Sequence, residues 1–362
     1  MSLDSSPIIQ AVRVRPVRVP MPEPHRTASG TVAESPLVLT DVITDAGIRG
    51  YSIVFTYTPA ALIPTAEMIR NIEPLVKGEP LAPAEIEQKL ARRFRLLGTQ
   101  GLVGIALAAI DMALWDALAR THNLPLVRLL GGSAKPLRCY GAVGYDGADG
   151  CAKVAERWAK RGFTGIKAKI GYPTVQEDVA VIRAMREAVG PGVRIMVDYN
   201  QCLTPTEAIE RIRILDDEGL TWVEEPTLAH DHAGHARIAR EVKTPIQCGE
   251  NWWGTLDLRQ AIDAGASDLV MPDVMKIGGV TGWLRAAALA QAHNIPVSSH
   301  LWPELSARLL CCTPTAHWLE YADWWNPIVA DPLRIENGMA IVDDEIGSGV
   351  EWNEDAVSRF AV

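Results

Sequence analysis

From Ile8 to Val19 the chain alternates small apolar with basic or polar side chains, the period-two pattern of a half-exposed strand. Leu37 to Thr44 and Ile48 to Phe55 read as two more strands, joined by the hairpin signal Asp45-Ala46-Gly47. Helical stretches follow, one starting near Pro83 and another running from about Leu102 to His122. The second is apolar on most faces (Ile105, Leu107, Ala109, Ile110, Met112, Leu114, Trp115, Leu118), which predicts a helix buried between layers. After Leu130-Gly131-Gly132 the texture becomes a strand-then-helix rhythm. Short apolar runs end in a polar or charged residue, and each leads into a helix-like segment. The runs are Leu137–Ala142, Gly165–Ile170, Arg194–Asn200, Thr221–Glu225, Pro245–Glu250, Asp268–Asp273, Pro296–His300 and Ala316–Glu320.

Eight such units predict an α/β chain with a barrel of the (β/α)8 type. An open doubly wound sheet would want a glycine-rich phosphate turn after its first strand, and Gly278-Gly279 fits no dinucleotide fingerprint. The expected organisation is an α+β domain over residues 1–132, a barrel over 133–323, and a segment 324–362 that returns to the first domain.

The 362 residues, 48% hydrophobic and 22% charged, have room for a large core. A net charge of −9 argues against a nucleic-acid partner, which calls for a basic face. It does not exclude an anionic substrate, because a metal ion and a few lysines reverse the potential locally. Six cysteines without a CxxC pair read as reduced thiols. The start of the chain lacks a signal-peptide run, and no stretch of about 18 uninterrupted apolar residues marks a membrane span. The expectation is a soluble, cytoplasmic protein.

Strand ends carry the chemistry of such barrels. Here they supply Lys167 and Lys169, then Asp198, Glu224, Glu250, Asp273, His300 and Glu320, spaced 20 to 29 residues apart from Lys169 onward. Wet strand ends explain one or two ionisable groups; one per unit is harder to excuse. Asp198, Glu224 and Glu250 end three adjacent strands, and three converging carboxylates repel unless a cation joins them. All-oxygen ligation points to one Mg²⁺ or Mn²⁺ rather than zinc, in an arrangement that stabilises a developing enediolate. Lys167 and Lys169, two apart on one strand, point the same way, and mutual repulsion can bring one toward neutrality as a base. Asp273 beside His300 would fix its tautomer and make a second acid/base unit. His230, His232 and His235 read as surface residues rather than a zinc site.

The stretches Lys167-Ala168-Lys169-Ile170-Gly171-Tyr172-Pro173, Val197-Asp198-Tyr199-Asn200-Gln201, Glu224-Glu225-Pro226 and Gly249-Glu250-Asn251-Trp252 resemble those of the mandelate racemase and muconate lactonizing enzyme family of the enolase superfamily. So do Met271-Pro272-Asp273, Met275-Lys276-Ile277-Gly278-Gly279, Ser298-Ser299-His300-Leu301, Ala316-His317-Trp318-Leu319-Glu320 and Phe55-Thr56-Tyr57-Thr58-Pro59. The likeness covers nearly the whole chain and is nearest to mandelate racemase. It implies a modified TIM barrel, (β/α)7β, with an N-terminal α+β capping domain completed by the C-terminal segment. It also implies roles. Asp198, Glu224 and Glu250 would ligate Mg²⁺; Lys169 and His300, the latter oriented by Asp273, would be bases on opposite faces of the substrate α-carbon. Lys167 would neutralise the substrate carboxylate and Glu320 would donate a hydrogen bond to it. Asn200 would touch the α-hydroxyl, and Lys276 would support the Asp273 region. A small carboxylate is the implied substrate, and a homo-oligomer, as large as an octamer, the implied assembly.

The pattern departs from mandelate racemase at Ala142 and Val143, which stand where that enzyme has a serine and a histidine. Losing the serine hydroxyl removes a hydrogen bond worth roughly 1–3 kcal/mol when its partner stays buried. In the capping loop around residues 24–32, His25 and Ser29 replace two valines of the phenyl pocket, while Phe55, Tyr57 and Leu301 keep the wall partly apolar. These changes favour a substrate side group smaller or more polar than phenyl. Two bases on opposite faces imply an isomerase, a racemase of α-hydroxy acids. The alternative is an acid-sugar dehydratase, in which His300 expels a β-hydroxyl. A non-catalytic scaffold would keep so many buried charges at a cost without a return.

Overall fold

The computed structural model describes residues 6–27 and 30–362. The chain opens with a three-stranded antiparallel sheet, β1 (Ile9–Thr27), β2 (Gly30–Thr44) and β3 (Arg49–Phe55). β1 and β2 are longer than the alternation predicts. Instead of a loop at 24–32, the described residues form a hairpin arm with His25 opposite Val32 and Arg26 opposite Thr31. The pairing lapses between Pro20 and His25, where Pro20, Pro22 and Pro24 have no N–H to donate. That lapse hid the arm from a reading by period. The β2–β3 turn forms at Asp45-Ala46-Gly47 as expected, with Gly47 N–H donating to Thr44 O at 3.0 Å.

Helices α1 (Pro59–Val76), α2 (Pro83–Phe94) and α3 (Gly101–Thr121) cover this sheet, and a short α4 (Leu126–Leu129) leads to the barrel. α3 is long and apolar enough to cross a membrane by length and composition, but most of it is buried inside the protein. It is the central core helix. β3 lies so close to it that a Cβ on Gly50 would meet the Ala113 carbonyl oxygen at 2.1 Å, so only glycine fits there. Ser52 Oγ donates to Ala109 O at 2.7 Å, and Tyr51 N–H donates to Asp116 at 2.8 Å.

The barrel runs β4 (Leu137–Val143), α5 (Gly147–Lys160), β5 (Gly165–Lys169), α6 (Val175–Val189), β6 (Arg194–Asp198), α7 (Pro205–Leu215), β7 (Val223–Glu224), α8 (His232–Glu241), β8 (Ile246–Cys248), α9 (Gly254–Ala264), β9 (Leu269–Val270), α10 (Gly279–Ala292), α11 (Pro303–Cys311) and β10 (Leu319–Tyr321). β4 to β9 pair in parallel, in order. Val297 bridges both Val270 and Ala316, supplying the seventh strand, and β10 lies parallel on β4 to close the ring. Seven strands are followed by a helix and the eighth is not, which is the (β/α)7β barrel. Capping boxes Thr174/Glu177 and Thr204/Glu207 start α6 and α7, fixing the length of the loops that follow β5 and β6.

The cap and the barrel share polar ties. From α3, Asp111 accepts from Thr281 N–H at 3.0 Å, placing a carboxylate at the N-terminus of α10, and Trp115 Nε1 donates to Thr281 Oγ1 at 2.8 Å. After the barrel come β11 (Arg334–Glu336), β12 (Met339–Ile341) and α12 (Glu354–Phe360). β11 and β12 stay with the barrel, β12 antiparallel to β4, rather than returning to the first domain, and the end of the chain crosses to the first sheet. Trp352 Nε1 donates to Asp41 Oδ1 at 2.8 Å, Arg15 pairs with Glu354 at 2.6 Å, and Ala361 bridges Val17.

Candidate active site

Every ionisable strand end named above converges on one end of the barrel. Lys167 and Lys169 share a face of β5; Asp198 ends β6 and Glu224 ends β7. Glu250 follows β8 after Gly249, where φ is +139° and a Cβ would meet the Met271 backbone at 2.9 Å. Asp273 and His300 are bridge partners on strands six and seven, and Glu320 lies in β10. Backbone with positive φ clusters around them at Tyr57, Asn200, Gln201, Glu225, Leu301 and Trp302. Such conformations cost about 1–3 kcal/mol each and persist where the surroundings impose them.

Asp198, Glu224 and Glu250 are buried and present one oxygen each within 4.8 Å of one another, the only such group of ligand atoms among the described residues. The all-carboxylate donor set and spacing fit a hard divalent cation. Glu224 is further held by Trp222 Nε1 at 3.0 Å and Gln247 Nε2 at 3.3 Å. Burial raises its pKa, with Lys167 working the other way. Burial also opposes ionisation of Glu250, but His300 and the lysines overcome it and hold the carboxyl below its usual range.

Lys167 is buried, in contact with Glu224, 2.9 Å from Glu320 Oε1 and 4.0 Å from Asp198. Lys169 donates to Asp198 Oδ2 at 3.1 Å and to Asn200 Oδ1 at 2.6 Å. Mutual repulsion was expected to lower one lysine, yet both stand raised. Burial disfavours the Lys169 ammonium and Lys167 adds to that, but Asp198 outweighs them. Across the mouth, His300 Nδ1 lies 2.7 Å from Asp273 Oδ2 and Nε2 lies 3.2 Å from Glu250. Asp273 can only accept there, so Nδ1 carries the hydrogen and Nε2 is the working nitrogen. Trp302 Nε1 and Met275 N–H hold the other Asp273 oxygen at 3.0 and 2.6 Å. Glu320 is kept ionised: burial resists this, but Lys167 and His300 prevail and pull it to about 2.

Lys169, Asn200, Glu250 and His300 line one cavity of about 350 Å³, closed by His25, Phe55, Tyr57 and Leu301. Lys167, Asp198, Glu224, Asp273 and Glu320 stand behind that lining. Ser29 lies outside the described residues. Lys276 does not line the cavity; its backbone N–H donates to Asp273 O at 3.1 Å, while its ammonium donates to Asn251 Oδ1. Met21, Trp324, Tyr145 and Cys202 also line it and escaped the sequence reading, which had no period to place a side chain from 324 beside the arm. Trp253 lines a different cavity between the domains, and Trp252 is buried with its N–H on Ala229 O.

The three histidines after strand four are not all on the surface. His235 is 1% exposed inside α8, and burial lowers its pKa to about 4. The folded state therefore binds this proton less readily than the unfolded chain does. Stability from this residue is intact above pH ~6.5 and falls by roughly 2 kcal/mol between pH 7 and 4.5. In urea titrations at both pH values, His235→Leu is expected to lose that much less stability than the wild type; equal losses would refute this.

Residues 9–131 match the model for the mandelate racemase / muconate lactonizing enzyme N-terminal domain, and residues 150–356 match that of the enolase C-terminal domain-like family. A solved structure of an enolase from Bradyrhizobium, complexed with magnesium and mandelic acid, is 43% identical with a TM-score of 0.96, covering 99% of this chain and 100% of that one. L-talarate/galactarate dehydratase of Salmonella typhimurium is 34% identical over 72% of this chain, a match spanning 66% of that enzyme's length. The 3,6-anhydro-alpha-L-galactonate cycloisomerase of Streptomyces coelicolor is 31% identical over 98% of this chain and 100% of its own.

Proposed function

Since the chain belongs to the mandelate racemase / muconate lactonizing enzyme family of the enolase superfamily, and is a magnesium-dependent enzyme of that kind, we propose that it racemises an α-hydroxy acid related to mandelate by 1,1-proton transfer. The observation that carries this reading is that Lys169 and His300, from β5 and the seventh strand, line one cavity. Each is backed by its own carboxylate, Asp198 for the lysine and Asp273 for the histidine.

Asp198, Glu224 and Glu250 would hold Mg²⁺, which would supply charge stabilisation for the substrate carboxylate and offset the negative field around Lys169. Lys169 takes the α-proton of one enantiomer, and Nε2 of His300 delivers a proton to the opposite face. The reverse reaction exchanges their roles. Lys167 attracts the substrate carboxylate. That carboxylate draws Lys167 away from Glu320 and adds a like charge beside it, and both effects move Glu320 toward the protonated form that can donate.

The wall of Met21, Val32, Phe55, Tyr57, Leu301 and Trp324 suits an apolar side group. His25, tilted against Trp324 at 4.9 Å, adds one demand. Its Nε2 is buried with no partner among the described residues, and burial, aided by Lys169, lowers its pKa to about 3, so the ring is neutral. A side group carrying a hydroxyl satisfies that nitrogen; a bare phenyl leaves it orphaned. We expect a preference of roughly 5- to 100-fold in kcat/KM for the hydroxylated group.

The dehydratase reading draws support from the named activity of the Salmonella relative. In it His300 protonates a departing β-hydroxyl. Proton NMR in D₂O with Mg²⁺, on a panel of α-hydroxy acids and acid sugars, separates the two. Exchange of the α-hydrogen with an intact skeleton is the expected outcome. Water loss with formation of a 2-keto acid would replace the racemase by the dehydratase.

A further inference from the structure

Lys276 is a buried ammonium that the chemistry above does not use. Its Nζ donates to Asn251 Oδ1 at 2.5 Å and lies 4.5 Å from the centre of the Tyr57 ring. A lysine can only donate, so the Asn251 atom facing it is the carbonyl oxygen, and the amide nitrogen points the other way. There the two amide hydrogens meet two carboxylates, Glu250 Oε1 at 3.0 Å and Glu225 Oε2 at 2.7 Å. A flipped amide would set N–H against the ammonium and C=O against both acids. Lys276 therefore decides the orientation of Asn251.

The consequence reaches the carboxylate triad. With Oε1 of Glu250 occupied by Asn251, Oε2 is turned toward the barrel mouth, where it lies 3.2 Å from His300 Nε2. Glu225, from which Asn251 takes its second anchor, sits at a φ of +35°. Its Oε1 is buried and without a partner among the described residues, so Asn251 is the contact that secures this side chain.

We infer that Lys276 and Asn251 are positioning residues for the magnesium centre: Lys276 fixes the Asn251 amide, and Asn251 fixes the Glu250 carboxylate. The inference rests on the reading that Asp198, Glu224 and Glu250 hold Mg²⁺. Two effects of Lys276 on the metal oppose each other in sign. As a charge it repels the dication, so its removal should tighten binding. As the anchor of Asn251 it organises a ligand, so its removal should weaken binding, and outer partners of metal ligands typically contribute about 10- to 100-fold in affinity.

The test is calorimetric titration of the full chain with Mg²⁺ alone, with circular dichroism to confirm folding. Lys276→Met and Asn251→Leu are expected to weaken Mg²⁺ binding about 10- to 100-fold, and Lys276→Arg, which keeps a donor, to restore most of it. Unchanged or tighter binding in either Lys276→Met or Asn251→Leu overturns the inference. If Lys276→Met does not fold, Asn251→Leu decides. Asp198→Asn separates the two levels. If it binds Mg²⁺ as the wild type does, the metal assignment itself has failed; if it loses binding while Asn251→Leu keeps it, only the positioning role has.

Discussion

His300→Asn is expected to slow racemisation by about 10²- to 10⁴-fold, the usual weight of one acid/base group, without stopping all proton exchange. Asparagine fills similar space and can accept a hydrogen bond, but it cannot hold a proton at pH 7. Lys169 sits on a different strand, paired with Asp198 at 3.1 Å, and is untouched by the change. It should still remove the α-proton of the enantiomer that faces it. In D₂O with Mg²⁺, one enantiomer of the substrate should therefore exchange its α-hydrogen without inverting, while the other stays silent. Proton NMR and chiral chromatography on the same samples measure both. Equal exchange of the two enantiomers would show that His300 is not the base for one face. Loss of both would show that it supports the reaction some other way.

Lys167→Met should have the largest effect on stability. The ammonium is buried and stands between Glu224 and Glu320, with Asp198 at 4.0 Å. Methionine keeps the length of the side chain and removes the charge, leaving buried carboxylates without their counter-ion. Breaking a buried pair in this way costs about 3–5 kcal/mol. Chemical denaturation in the presence of a chelator should show that loss. Added Mg²⁺ should recover part of it, because a cation held by the triad compensates Glu224 and Asp198 directly. Glu320→Gln in the Lys167→Met background should recover another part by removing the second stranded charge. A variant that unfolds at the same urea concentration as the wild type would mean that the lysine contributes charge to the site and no net stability. Activity should fall in any case, since the group proposed to attract the substrate carboxylate is gone.

The convergence of the ionisable strand ends could be read from the chain because a parallel barrel brings them to one rim by construction. Each strand contributes its last residues, so Asp198, Glu224, Glu250 and Glu320 needed only a place in the rhythm. Lys167 and Lys169 needed only a period of two. The partners of these groups were not legible in the same way. Trp222 and Asn251 lie within two residues of Glu224 and Glu250 but reach them only through their own side-chain torsions, and Trp302 reaches Asp273 from the neighbouring strand's end. No spacing encodes those. Lys276 shows the limit clearly: the resemblance assigned it to the Asp273 region, which its backbone N–H does meet at 3.1 Å, but its ammonium reaches Asn251. The raised state of Lys169 has a similar origin. Two lysines on one strand announce repulsion, but the carboxylates that outweigh it arrive from other strands. The hairpin arm was missed because prolines interrupt the alternation that marks a strand, while the backbone on either side continues to pair.

The tie between residues 352–362 and the first sheet sets the order in which the molecule can be finished. β1 and β2 are made before the barrel, yet Arg15, Val17 and Asp41 receive Glu354, Ala361 and Trp352 only after every barrel strand has emerged. Domains tend to fold as they are released. Here the cap must wait, holding its apolar sheet under α1 to α3 while the barrel assembles downstream. A message stopped short of codon 352 would encode all eight barrel strands and every group named in the reaction, under a cap never fastened. The cap is made before the barrel and fastened after it.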